Sequence, residues 1–182
     1  MDFRKNIKQK ADDLIHKAKV LPDIAINWEG PIPVRCSELK TIEELKARKV
    51  LDVFEGHKNK KCPAIYLFKI KSKHSGGEIV DALQAFKDKK IRSCPKIDKK
   101  RSGDTKFLYC GSSKGGLHGR FIQHLGFGSQ NTFALQLFYW ANAIQLELEF
   151  HYAWLDPNYK EFTELLESAL ADKIKPLVGK IA

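Results

Sequence analysis

The chain has 182 residues, 43% of them apolar and 10% aromatic, which suits one globular core domain with room for an extension. No apolar run reaches membrane-spanning length, and the four cysteines (Cys36, Cys62, Cys94 and Cys110) include no C-x-x-C pair, so neither a membrane-spanning helix nor a zinc site set by spacing is expected. The formal net charge is +10, and it is unevenly placed: residues 61–104 carry +7, residues 1–60 carry +3, and residues 105–182 are neutral.

Such a basic segment attracts polyanions. The opening Met-Asp-Phe-Arg-Lys-Asn lacks an apolar stretch, so a reduced, cytoplasmic protein without a secretory leader is expected.

Phe3, Ile7, Ala11, Leu14, Ile15 and Ala18 form one stripe and predict a helix over 3–19. Pro22, Pro31 and Pro33 interrupt the next stretch, and Thr41 with Glu44 is a capping-box signal for a helix over 41–49. Residues 1–60 are thus expected to be a helical extension to a domain over 61–182. A strand is expected at 63–70, closed by His74-Ser75-Gly76-Gly77, and Ile79, Leu83 and Phe86 suggest a short helix. Residues 71–104 form an insert whose second half is basic: Lys87, Lys89, Lys90, Arg92, Lys96, Lys99, Lys100 and Arg101. These residues, with Lys114, are the candidates for contact with a phosphate backbone.

A second strand is expected at 105–110 and a helix at 117–126, where Leu117, Phe121 and Leu125 recur at four-residue spacing. Ser129 reads as the N-cap of a helix over 130–143 carrying Phe133, Leu137 and Trp140. Residues 145–154 alternate apolar and polar, the pattern of a strand with one buried face. The final helix, over 159–175, is expected to bury Phe162, Leu165, Leu166, Ala169 and Leu170, with Glu167 on the flank of that stripe. Strand, strand, helix, helix, strand, helix gives an α+β core with helices packed on a small sheet.

Chemistry concentrates in a few of these positions. Tyr66 lies in Ala64-Ile65-Tyr66-Leu67-Phe68 and Tyr109 in Phe107-Leu108-Tyr109-Cys110-Gly111. The second strand runs into a turn rich in glycine, then into a helix where Arg120 and His124 share a face. Glu167 stands nine residues before Pro176. Tyrosine hydroxyls, a guanidinium, an imidazole and a carboxylate suit hydrolysis of a phosphodiester on a divalent metal.

This combination resembles the GIY-YIG nuclease family over residues 63–176, roughly three fifths of the chain. The resemblance implies a small three-stranded, mainly antiparallel sheet flanked by helices. It implies a metal-dependent endonuclease acting on nucleic acid, with DNA as the expected partner. One Mg²⁺ or Mn²⁺ would be held by Glu167. Tyr66 or Tyr109 would act as general base or orient water, Arg120 would neutralise charge on the phosphate, and His124 would relay a proton or bind phosphate. Three positions depart from the family pattern: Ala64 replaces a glycine, Ser112 stands where some members have lysine, and Gly179 where many have asparagine. A nucleic-acid-binding module with a decayed site, and a protein-interaction domain docking an acidic partner, are the two competing classes.

Overall fold

A computed structural model describes residues 3–41, 61–97 and 105–179. The expected helix over 41–49 lies beyond Thr41, outside the described residues, as do Lys99, Lys100 and Arg101. Helix α1 covers Phe3–Val20, in agreement with its periodicity. Its apolar side chains Phe3, Ile7, Leu14 and Ile15 stay in water.

The sheet has four strands, not the three expected. Strand β1 is Glu29–Arg35, β2 Ala64–Ile70, β3 Phe107–Ser113 and β4 Glu147–Trp154. They run antiparallel to each neighbour in the order β1-β4-β2-β3. The additional strand comes from the segment expected to be helical. Pro31 and Pro33 concealed it, because proline lacks the N–H that an interior strand must donate. At the rim of a sheet that loss is tolerated, and β1 pairs only with β4. Ile32 and Val34 still alternate inward.

Strand β2 is central, and Ala64 through Phe68 are all buried. One face of the sheet presents Tyr66, Phe68 and Phe150 to helices α2 (Gly76–Asp88), α3 (Leu117–Leu125) and α4 (Leu137–Trp140). Phe150 lies 4.6 Å from Phe121 and 4.8 Å from Phe68 between ring centroids. Cutting any of these rings back to alanine would cost about 3–5 kcal/mol. The other face presents Leu67 and Cys110 to α5 (Thr163–Ile174), where Ala171, Leu170 and Ile174 meet them.

Three elements differ from expectation for identifiable reasons. Ser75 opens a helix instead of closing a strand: its hydroxyl accepts from Glu78 N–H while Glu78 accepts from Ser75 N–H, a reciprocal cap for α2. The helix expected over 130–143 shrinks to α4. Leu135 spends its N–H on the His124 ring, and Gln136 adopts a left-handed conformation, φ 56°, so no helical ladder passes through them. Residues 157–162 form a 3-10 turn before α5. In α5 the buried line is Thr163, Glu167 and Ala171, whereas Leu165 is 56% exposed. Glu167 therefore sits on the buried line itself and not on its flank.

Candidate active site

Strand β3 lies at the sheet's other rim, and a pocket of about 460 Å³ wraps around it. Tyr109 and Arg120 line it from the face covered by α3, and Ser112 and Glu167 from the face covered by α5. The strand pairing explains the division. Tyr109 lies opposite Phe68 and Gly111 opposite Tyr66, so both point to the α3 face, while Ser112 lies opposite Ile65 and points to the α5 face.

Behind the pocket wall is a closed hydrogen-bond network. Leu135 N–H donates to His124 Nδ1 at 3.1 Å. That bond leaves the ring's proton on Nε2, which donates to Tyr66 Oη at 2.9 Å. Arg120 Nε donates to the same oxygen at 3.2 Å. Two N–H groups therefore converge on one phenolic oxygen, a pattern that stabilises negative charge there. Burial acts the other way. The Tyr66 hydroxyl is held well above its ordinary 10, chiefly by burial and then by Tyr109, with Arg120 opposing. Burial likewise raises Tyr109, and Arg120 again opposes. His124 is pushed well below its ordinary 6.5 by burial and then by Arg120. It is a neutral, fully enclosed ring. His124 holds Tyr66 through its ring and has no surface open to solvent.

Arg120 is held on three sides. Besides Tyr66, its terminal nitrogens donate to Gln123 Oε1 at 2.9 Å and to the carbonyl of Phe133 at 2.8 Å. With five donors available, the guanidinium still has N–H groups to offer the pocket it lines.

Glu167, 9% exposed, accepts from Ser112 Oγ–H at 2.6 Å. Ser112 thus orients the carboxylate instead of marking a lost cation. Gly179 lines the same pocket with φ 138°, a backbone state essentially reserved for glycine, and its N–H donates to the carbonyl of Lys96 at 3.0 Å. Lys96, from the insert, is itself a lining residue. Its side chain is exposed, so a cation is available beside the pocket although position 112 lacks one.

Among the described residues, no three His, Cys, Asp or Glu side chains gather as a metal cluster. A magnesium-like ion asks for less: one or two carboxylates, with water and substrate phosphate filling its octahedron. Glu167, with Glu164 also on the pocket wall, fits that demand.

The remaining basic candidates divide. Lys114 pairs with Glu164 at 2.8 Å on the rim. Lys87 donates to the carbonyl of Pro95 at 2.6 Å. Arg92 donates to the carbonyl of Gly128 and to Gln136 Oε1, both at 3.1 Å, and lies 4.4 Å over the Tyr139 ring. Lys87 and Arg92 hold structure together, whereas the Lys114 pair is a solvent-exposed one. Lys89 and Lys90 are exposed just beyond α2, and Lys90 borders a second hollow of about 370 Å³. Sequence reasoning missed Ser112, Gln123, Phe133 and Glu164 as parts of the site.

In comparison with known proteins, the chain matches no family model, no curated protein and no solved structure.

Proposed function

We propose that this protein is a divalent-metal-dependent endonuclease of the GIY-YIG type, cleaving phosphodiester bonds in nucleic acid and, as first expectation, in DNA. One observation carries the reading. Tyr109, Arg120 and Glu167, drawn from three separate elements, line a single pocket, with Tyr66 and His124 fixed behind it.

In this reading Glu167, oriented by Ser112, would hold one Mg²⁺ or Mn²⁺, with Glu164 on the same pocket wall. The bound ion would supply Lewis-acid stabilisation of charge on the phosphate. Arg120 binds the phosphate and meets the charge that grows on it; its position is already set by Tyr66, Gln123 and Phe133, so little reorganisation is needed. Lys96 adds a second positive charge at the same phosphate. Tyr109, the phenol on the pocket wall, orients the attacking water and, once ionised, accepts its proton. With that hydroxyl held above its ordinary 10, the rate should climb with pH throughout the range below the pKa, where the base form is scarce.

The test is a cleavage assay on plasmid, single-stranded and branched DNA, with and without Mg²⁺ or Mn²⁺. Arg120→Ala and Glu167→Ala should each lower the rate by about a hundredfold or more, the scale of losing one key electrostatic group. Their unfolding transitions should remain cooperative. An unchanged rate in either variant would place the chemistry elsewhere. Gly179, at the position where many family members have asparagine, favours the second reading of a binding module without turnover. That reading predicts nucleic-acid binding with no metal-dependent cleavage of any of the three substrates.

A further inference from the structure

Phe133 is 69% exposed, yet the chain around it is firmly held. Ala134, Leu135 and Gln136 are completely buried. Leu135 donates its N–H to His124 and accepts at its carbonyl from Trp140 Nε1 at 2.7 Å. Gln136 Nε2 donates to the carbonyl of Thr132 at 3.0 Å, and Gln136 Oε1 accepts from Arg92 at 3.1 Å. Phe133 itself gives its carbonyl to Arg120. A segment fastened on both sides thus leaves one phenyl ring in water, on the wall of the pocket that holds Tyr109, Arg120 and Glu167.

We propose that Phe133 is a stacking platform for an unpaired base beside the scissile phosphate, so that the preferred substrate is nucleic acid single-stranded at the cut, such as a flap, bulge or loop. This rests on the nuclease reading above. Arg120 grips the phosphate while its own partner, Phe133, meets the adjoining base. Within a duplex both faces of each base are already covered, so an aromatic ring can stack only on a base that is free or flipped. Stacking tolerates every base, so the preference is for structure and not for sequence.

The test measures binding of a short single strand and of its fully paired duplex to the full chain in EDTA, where turnover is blocked, and then cleavage of both with Mg²⁺. Phe133→Ala should weaken single-strand binding relative to duplex binding by roughly 5- to 150-fold. Phe133→Trp should retain the preference, and Phe133→Leu, apolar but without a π-face, should lose it. An abasic site next to the cut should weaken wild type as much as Phe133→Ala does, and should weaken that variant no further. A preference kept by Phe133→Leu, or an equal loss on both substrates in Phe133→Ala, would overturn the proposal. Wild type that cleaves while Phe133→Ala binds and cleaves identically overturns this inference alone. Wild type that neither binds nor cleaves either substrate overturns the nuclease reading and this inference with it.

Discussion

A Cβ on Gly111 would lie 2.6 Å from Tyr66 Oη, 2.7 Å from Tyr66 Cζ and 2.8 Å from Tyr109 Cε1. Both rings are buried and cannot swing aside, so glycine is required at this point for close approach and not for its backbone freedom. Gly111→Ala should destabilise the fold by about 1–3 kcal/mol, the scale of overpacking a full core. It should also reduce cleavage more than the lost stability explains, because it displaces both tyrosines. Urea unfolding beside a cleavage assay checks this; wild-type stability and rate would show that the rings have room.

His124 gives a residue-scale test that does not depend on catalysis. Its folded pKa lies below the ordinary 6.5, so between these two values the unfolded chain binds a proton that the native chain refuses. Stability is therefore lost as pH falls below about 6.5, by up to about 1.4 kcal/mol per pH unit from this one group, and nothing is lost above it. His124→Gln keeps a donor and an acceptor but cannot titrate. The stability gap between wild type and this variant should narrow from pH 7 to pH 5, as followed by urea unfolding. A gap that does not change would mean that His124 takes up its proton as readily in the native chain as in the unfolded one.

The five main candidates were legible because their offsets along strand and helix are rigid: Arg120 and His124 share a face at any i, i+4 spacing. Ser112 was not, since nothing local announces a bond to Glu167 across 55 positions. Nor was Phe133, whose spacing with Leu137 and Trp140 imitates a buried helical stripe.

At the scale of elements, tertiary bonds overruled local pattern wherever the two disagreed. The segment before α4 gives up helix to serve the His124 ring, and α5 turns a Thr-Glu-Ala line inward because Ser112 receives the Glu167 carboxylate. Strand β4 emerged almost as read, since its alternation reports directly on which side faces the core. The short helix read from Ile79, Leu83 and Phe86 in the first half of the insert is the capped helix α2, which buries all three. Arg92 ties the chain after α2 to the body through Gly128, Gln136 and the Tyr139 ring. Arg92→Ala should cost about 2–3 kcal/mol, from charged hydrogen bonds and a cation–π contact. Arg92→Lys should recover only part, because an ammonium lacks the planar fork. The salt dependence of nucleic-acid binding should not move. A variant as stable as wild type with a flatter salt slope would return Arg92 to the phosphate contacts.

Over the whole molecule, the net charge of +10 is concentrated ahead of β3, and 61–104 alone carries +7. Among the described basic residues there, Lys87 and Arg92 are committed to backbone and side-chain partners, whereas Lys89, Lys90 and Lys96 are exposed. Lys96 lines the pocket proposed as the active site and Lys90 a second hollow, so a strand lying across both would meet these three charges. Each phosphate neutralised releases counterions and steepens the dependence of log affinity on log salt by about 0.9 on duplex and about 0.7 on single strands. Replacing Lys89, Lys90 and Lys96 together by serine should therefore flatten the slope by roughly two to three on either substrate and weaken all sequences alike. Lys114→Ser should change the slope little, since that side chain already answers Glu164. Binding isotherms at four or five salt concentrations decide it. An unaltered slope in the triple variant would remove the insert from the phosphate track and direct attention to Lys8, Lys10 and Lys19 on α1, where the apolar stripe and the charges share one exposed helix.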